Sequence, residues 1–154
     1  MTVKAHWTGA GSSRALENWE QRKLGLGTDD GWYRFSNEPH NRLTLHYAGV
    51  QYRVQDETLH NYNSIPWIFG AVPFIGKYFR KDSYPRSPVF HDAAYGEEHT
   101  LWISRDGGET WNKEQVTKEI ADLLLRVGII AEEGPEWVAN TYYRMVSAFG
   151  RFCW

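Results

Sequence analysis

The chain has 154 residues, enough for one compact domain and short for two. Hydrophobic residues make up 42% of it and aromatic residues 16%, including eight Trp and nine Tyr, so a substantial core can form and many N–H and O–H groups need partners. The formal charge is -2 and no long basic run occurs, which argues against a phosphate-tracking groove and sets nucleic acid aside as a partner.

The densest basic cluster, Lys77, Arg80, Lys81 and Arg86, is interrupted by Asp82 and reads as a solvated loop. Cys153 is the only cysteine, which excludes an intrachain disulfide and a cysteine zinc cluster. The first residues lack the charged start and apolar core of a signal peptide. No apolar stretch reaches the roughly 18 residues of a membrane span, because the run from Ile65 to Phe79 is shorter and broken by Gly and Pro. The expectation is a soluble product, made in a cytoplasm, without membrane insertion.

In chain order, Ser12 and Ser13 can cap a helix running to Leu24 or so, ended by Gly25 and Gly27. Residues 1–30 therefore read as an N-terminal helical arm and residues 31–154 as a single domain. From Trp32 the period changes to that of strands. Trp32 to Phe35 is one strand, and Leu43 to Tyr47 with Val50 to Val54 form a hairpin around Ala48-Gly49. Pro66 and Pro73 break the Ile65 to Phe79 region into short helices. Ser87 followed by Pro88 predicts a helix start, with the helix stopping at Gly96. Asn112 with Gln115 matches a capping box for the next helix, whose apolar stripe is Val116, Ile120, Leu123, Leu124 and Val127 and whose end is Gly128. Pro135 opens a last helix with Val138, Tyr142, Met145, Val146 and Phe149 on one face, closed by Gly150. These elements make an α+β domain, a small hairpin-based antiparallel sheet packed with about four to five helices.

Between the helices, Ser104-Arg105-Asp106-Gly107-Gly108-Glu109-Thr110-Trp111 fits the Ser-x-Asp-x-Gly-x-Thr-Trp pattern of an Asp-box. Ser104, Asp106, Gly108, Thr110 and Trp111 are its structural positions. Asp106 can bond nearby backbone N–H groups, while Gly107 and Gly108 can take turn conformations closed to bulkier residues. Trp102 and Trp111 flank the turn. One copy cannot make a propeller, which needs several repeated blades. The expectation is an inserted hairpin at residues 100–112.

The stretch from Asn61 to Gly96 sets Ser64-Ile65-Pro66 beside a long aromatic run and follows it with His91-Asp92 on a new helix. This resembles a family of small proteins encoded by phages and prophages, catalogued as a domain of unknown function. Its pattern is Thr-Asp-(aromatic)-Ala-Ser-Ile-Pro, then His-Asp, then a helix carrying Ala-Asp, then an aromatic helix ending in Phe-Gly. The resemblance runs from Trp32 to Trp154 and leaves out the leading segment. It implies that Asn61, Ser64, His91 and Asp92 lie close together, with partners for His91 and Asp92 from the Asp before Ser-Ile-Pro and from the Asp of the next helix.

At the first of those positions this chain has Asn61. At the second, alignment by the Gly128 end puts Thr117, because matching Asp122 of the Ala121-Asp122 dipeptide shortens the spacing to Gly128. Neither Asn nor Thr supplies the negative charge that offsets a divalent cation. No metal or other cofactor is expected, with His91 and Asp92 the weak metal candidates. Adjacent helical residues point about 100° apart, so His91 and Asp92 do not form a simple dyad. A buried His91 with Asp92 favouring the helix N-terminus is the structural alternative to a working site. Ser64 can cap a short helix, and as a nucleophile it would depend on His91 as base. His46, Asp56, Glu57, His60, Glu97, Glu98 and His99 are scattered potential ligands without a recognisable metal spacing.

Three functions follow as expectations. The first is a bacteriophage virion structural or assembly protein of the tail, baseplate or neck, binding other phage structural proteins or further copies of itself. Trp102, Phe152 and Trp154 are its interface candidates. It would be made in the bacterial host cytoplasm and located in the virion, with a degenerate His-Asp polar site. The second is a phage hydrolase, acting on cell wall or metal-assisted, that uses His91 and Asp92. The third is an inhibitor of a host defence or host enzyme.

Overall fold

The structure, a computed structural model, describes residues 4–26, 32–60, 76–79, 83–96 and 98–149. Its elements run β1 (Ala5–Thr8), β2 (Ser12–Ala15), α1 (Asn18–Lys23), β3 (Tyr33–Ser36), β4 (Thr44–Tyr47), β5 (Val50–Arg53) and β6 (Thr58–His60). A 3-10 turn at Gly76–Phe79 precedes α2 (Ser87–Ala94), β7 (Thr100–Ser104), β8 (Asn112–Gln115), α3 (Lys118–Ala131) and α4 (Glu136–Phe149). The class is α+β, and among the described residues every strand pair is antiparallel. One sheet has five strands in the order β1-β4-β5-β7-β8, and a second has three in the order β2-β3-β6.

The β4–β5 hairpin forms as its sequence dictates. Ala48 and Gly49 both take positive φ, at 52° and 79°, the requirement of a tight two-residue hairpin turn. Alternation then sends Leu45 and Tyr52, which face each other in register, to the inner side of the sheet. Leu101 and Ile103 of β7 continue that apolar surface. Helices α2 and α3 cover it with Val89, Phe90, Ala94, Ala121, Leu124 and Val127.

A second apolar layer lies beyond α3. Leu125 and Ile129 meet Val138, Ala139, Tyr142 and Val146 of α4, together with Phe79 and Tyr84. Helix α3 is therefore apolar on two sides, one toward the sheet and one toward α4. Its single polar buried side chain is Asp122.

The N-terminal residues do not form a separate helical arm. Ser12–Ala15 is a strand on β3, Ala5–Thr8 is the edge strand on β4, and α1 is only six residues long. Gly9 and Gly11 explain the difference, because both take positive φ and sit where the chain crosses others. A Cβ on Gly11 would meet the Phe35 ring at 2.1 Å, and one on Gly9 would meet the Arg42 carbonyl oxygen at 2.1 Å. The two glycines let the chain leave one sheet and enter the other.

Three helix boundaries also differ from the sequence reading. Asn112 and Gln115 belong to β8, bonded in register to β7, and Thr117 caps α3 by accepting the Ile120 N–H at 3.4 Å. Gly128 does not end α3 but lies inside it. A Cβ there would meet Ser87 Oγ at 2.8 Å and the Trp7 ring at 3.1 Å, so glycine is needed for close approach of α2 and β1. The helix closes instead with Glu133 at φ 61° and the Gly134 N–H bonded to the Ile129 carbonyl at 2.9 Å. Finally, Ser87 is the first residue of α2 rather than its cap. The Glu132 carboxylate reaches across from the end of α3 and accepts the N–H groups of Ser87 at 2.9 Å and Arg86 at 3.2 Å.

Strand β7 lies between β5 and β8, with Leu101 fully buried. The residue 100–112 segment is thus part of the main sheet, with only its turn projecting. That corrects the expectation of an insertion.

Candidate functional site

Pro88 near the start of α2 fixes that helix so that His91 and Asp92 fall in its middle turn, over β6 and beside α3. His91 is 5% exposed and Asp122 1% exposed. His91 Nε2 lies 3.6 Å from Asp122 Oδ1, and His91 Nδ1 lies 3.8 Å from Asp92 Oδ1. These are ion-pair rather than hydrogen-bond distances. The His91 and Tyr95 rings, one turn apart, sit 4.2 Å apart between centroids.

The partner of His91 is Asp122, not Thr117. Placing Thr117 there took Gly128 for the helix end, and three further residues of helix remove that reference. The apolar stripe is also rotated: Ile120 is exposed, whereas Ala121, Leu124 and Leu125 are buried. Asp122 therefore faces inward.

Asp122 ties three helices together. Tyr95 Oη, at the C-terminal cap of α2, donates to Oδ1 at 2.7 Å, Lys118 Nζ of α3 to Oδ2 at 2.5 Å, and Ser147 Oγ of α4 to Oδ2 at 3.2 Å. Lys118 also donates to the Val146 carbonyl at 3.0 Å, placing a cation at the C-terminal turn of α4 where the helix dipole favours it. Burial alone raises a carboxyl pKa, but His91, Lys118 and Tyr95 overcome it and hold Asp122 at about 2. For His91, burial opposes protonation most strongly. Asp122 and Asp92 outweigh it and raise the imidazole above its ordinary value.

A second histidine, grouped with the scattered ligands in the sequence, stands next to this cluster. His60, at the end of β6, is 0% exposed, and its Nε2 lies 3.0 Å from Ser13 Oγ of β2. Burial lowers its pKa to about 4, and the nearby negative charge of Asp92 only partly offsets this. The polar line thus runs Ser13, His60, Asp92, His91, Asp122, Lys118. Sequence signals for it existed in the i,i+4 spacings His91–Tyr95 and Lys118–Asp122 and in the Ala121-Asp122 dipeptide. Nothing local signalled Ser13.

Asn61 and Ser64, expected beside His91 and Asp92, lie outside the described residues, as do Phe152, Cys153 and Trp154. Of the other potential ligands, Glu97 also lies outside the described residues and the rest stay apart. His46 stacks on His6 at 4.4 Å, Asp56 accepts the Asn37 N–H at 2.9 Å, Glu57 pairs with Arg34 at 2.9 Å, and Glu98 pairs with Lys113. His99 is a turn residue at φ 47° with Nδ1 3.2 Å from the Ala94 carbonyl. Among the described residues no three His, Cys, Asp or Glu come together as a metal-binding set. No described helix is long and apolar enough to cross a membrane.

At the β7–β8 turn, Asp106 is the hub. Ser104 Oγ donates to its Oδ1 at 2.8 Å, the Thr110 N–H donates at 3.0 Å, and the Thr110 hydroxyl donates to Oδ2. These bonds, Thr110 first, hold the Asp106 carboxyl well below the usual range. Gly107 and Gly108 take positive φ, the Gly108 N–H donates to Ser104 Oγ at 2.9 Å, and Trp111 Nε1 donates to the Gly108 carbonyl at 3.0 Å.

Compared with known proteins, the chain matches no family model, no curated protein and no solved structure.

Proposed function

We propose that this protein is a bacteriophage virion structural or assembly component that acts by contact, and that its His-Asp cluster is a structural tie rather than a catalytic centre. One observation carries the second half: Asp122, buried in the cluster, is already engaged by Tyr95, Lys118 and Ser147 and neutralised by His91. A carboxylate so occupied offers little to a metal or substrate, and its donors come from three helices, as in a packing joint. The phage context rests on the resemblance in the Asn61 to Gly96 stretch. The Ala-Asp position of that pattern is best matched by Ala121-Asp122.

Exposed aromatic side chains supply the contact surfaces. Trp19 of α1 is 65% exposed, and Trp137 of α4 is 46% exposed beside Tyr78. Solvent-facing Trp of this kind is the side chain most enriched in interface hot spots. The Ser104–Trp111 turn is an Asp-box in this reading, a rigid hairpin end rather than a glycosidase feature.

The test is the composition of phage particles. Mass spectrometry of purified virions is expected to find the chain. Trp19→Ala and Trp137→Ala should lower its incorporation while leaving the melting temperature of the isolated protein unchanged. Absence from virions overturns the proposal and moves the defence-inhibitor reading ahead.

The hydrolase reading keeps one supporting observation, the 3.0 Å contact of Ser13 Oγ with His60 Nε2 near Asp92. A general base works best with a pKa near the operating pH, and His60 at about 4 falls well short of that. Labelling of Ser13 by a fluorophosphonate, abolished in His60→Gln, would restore this reading.

A further inference from the structure

The outer face of the five-stranded sheet carries a pocket of about 320 Å³, at the lower end of the usual range for small-molecule sites. Asn37, Arg42, Arg53, Val54, Asp56, Trp102 and Trp111 line it. It lies on the side of the sheet opposite the helices, away from His91 and Asp122. Arg53 and Trp102 are cross-strand partners on β5 and β7, which puts a guanidinium and an indole side by side.

The site is preorganised. Arg53 Nε donates to Thr44 Oγ1 at 2.8 Å, and the guanidinium lies 3.7 Å over the Trp111 ring. Those two contacts fix the plane of the fork and leave its terminal N–H groups for a ligand. The Trp111 ring is held in turn by its bond to the Gly108 carbonyl. Asn37 anchors the floor by donating to the Val54 carbonyl at 3.1 Å and accepting the Leu43 N–H at 2.7 Å. Neither Arg42 nor Arg53 has an ion-pair partner among the described residues. Burial and the charge of Arg42 both act to lower the Arg53 pKa, so an anion between the two would relieve an existing strain.

We infer that this pocket binds a carboxylate-bearing sugar residue. The carboxylate meets the fork of Arg53 with Arg42 beside it, in the bidentate geometry that guanidinium favours. The sugar's C–H face lies against Trp102, which is 38% exposed. At the other end Asp56 accepts a hydroxyl through Oδ2, its Oδ1 being taken by the N–H groups of Asn37 and Glu57. Asp56 also selects against phosphate, because a dianion would suffer more from a carboxylate in the same small pocket than a monoanion does. The volume suits one ring, not a base, ribose and phosphate together. This inference does not depend on the virion reading.

The experiment uses the full chain and follows Trp fluorescence and binding heat on titration with methyl glucuronide, methyl glucoside, acetate and glucose 6-phosphate. Methyl glucuronide is expected to bind saturably and about tenfold tighter than the neutral glucoside, which lacks the charge-assisted contact, and about tenfold tighter than acetate, which lacks the ring that meets Trp102 and Asp56. Arg42→Gln and Trp102→Ala should each weaken it by about tenfold with the melting temperature unchanged, since both side chains are solvent-exposed. No saturable binding of the glucuronide overturns the inference. So does equal binding of the glucoside, tighter binding of glucose 6-phosphate, or an affinity that neither substitution moves.

Discussion

His60 and His91 are both buried, one at the end of a strand in the small sheet and one in the middle of a helix, and their surroundings drive them in opposite directions. His91 has two carboxylates within ion-pair distance and is favoured as a cation. His60 meets a neutral hydroxyl, so desolvation prevails and it stays neutral. The same residue type is thus a charge carrier in one place and a neutral hydrogen-bonding group in another. What separates them is the polarity of the partner, not the depth of burial.

The largest test of this contrast removes the counter-charge. Asp122→Asn leaves Lys118 without its carboxylate and His91 with Asp92, at 3.8 Å, as its remaining counter-charge, and loss of one member of such a buried pair typically costs about 3–5 kcal/mol. Denaturant unfolding is expected to show that loss and to lower the His91 pKa. A variant as stable as the wild type would break the view of Asp122 as the tie between three helices.

The second test uses pH. For His60 the folded pKa is depressed, so its contribution is full above 6.5 and is lost as pH falls toward about 4. That loss is on the order of 3 kcal/mol. For His91 the folded pKa is raised, so its contribution is full below 6.5 and is lost as pH rises through the folded value. Asp122 adds stability above 3.8 that is lost only as pH falls toward about 2. In the wild type His60 should make stability fall between pH 6.5 and about 4, and in His60→Gln that fall should vanish. Unfolding curves across this window measure the difference, and an unchanged fall in the variant would reject the assignment.

Ser13→Ala sharpens the neutral side of the contrast. It takes the hydroxyl from His60 Nε2 and should cost about 1–3 kcal/mol, the desolvation cost of an unsatisfied buried nitrogen. The effect should persist at neutral pH, because the group lost is uncharged. The smallest effect belongs to Thr117→Ala, which removes a helix cap and no charge, at about 1 kcal/mol. It should leave the His91 pKa unmoved, measured by the proton chemical shifts of the ring. A shift there would return Thr117 to the site.

Much of the fold was legible where local chemistry decides it. The β4–β5 hairpin, the start of α2 near Pro88 and the last helix after Pro135 follow from positive φ at Ala48-Gly49, from proline's fixed backbone and from helical periodicity. The His91-Asp92 pair was equally visible. Its partner was not, because Gly128 reads as a stop when its surroundings are unknown. In the fold it is the point where Ser87 and Trp7 touch α3. Likewise Ser12 and Ser13 read as caps until Gly9 and Gly11 carry the chain from one sheet into the other.

The sequence by itself determined the α+β class, the β4–β5 hairpin, the start of α2 near Pro88, the last helix after Pro135, and which polar residues were available for a site. Tertiary structure alone decided that Asp122 meets His91, that Ser13 meets His60, and that Arg53, Trp102 and Trp111 share one outer pocket. The physical reason is distance along the chain: turns and caps are set by neighbours a few residues away. A buried charge or hydroxyl instead finds its partner across elements far apart in sequence, through packing that no local pattern encodes.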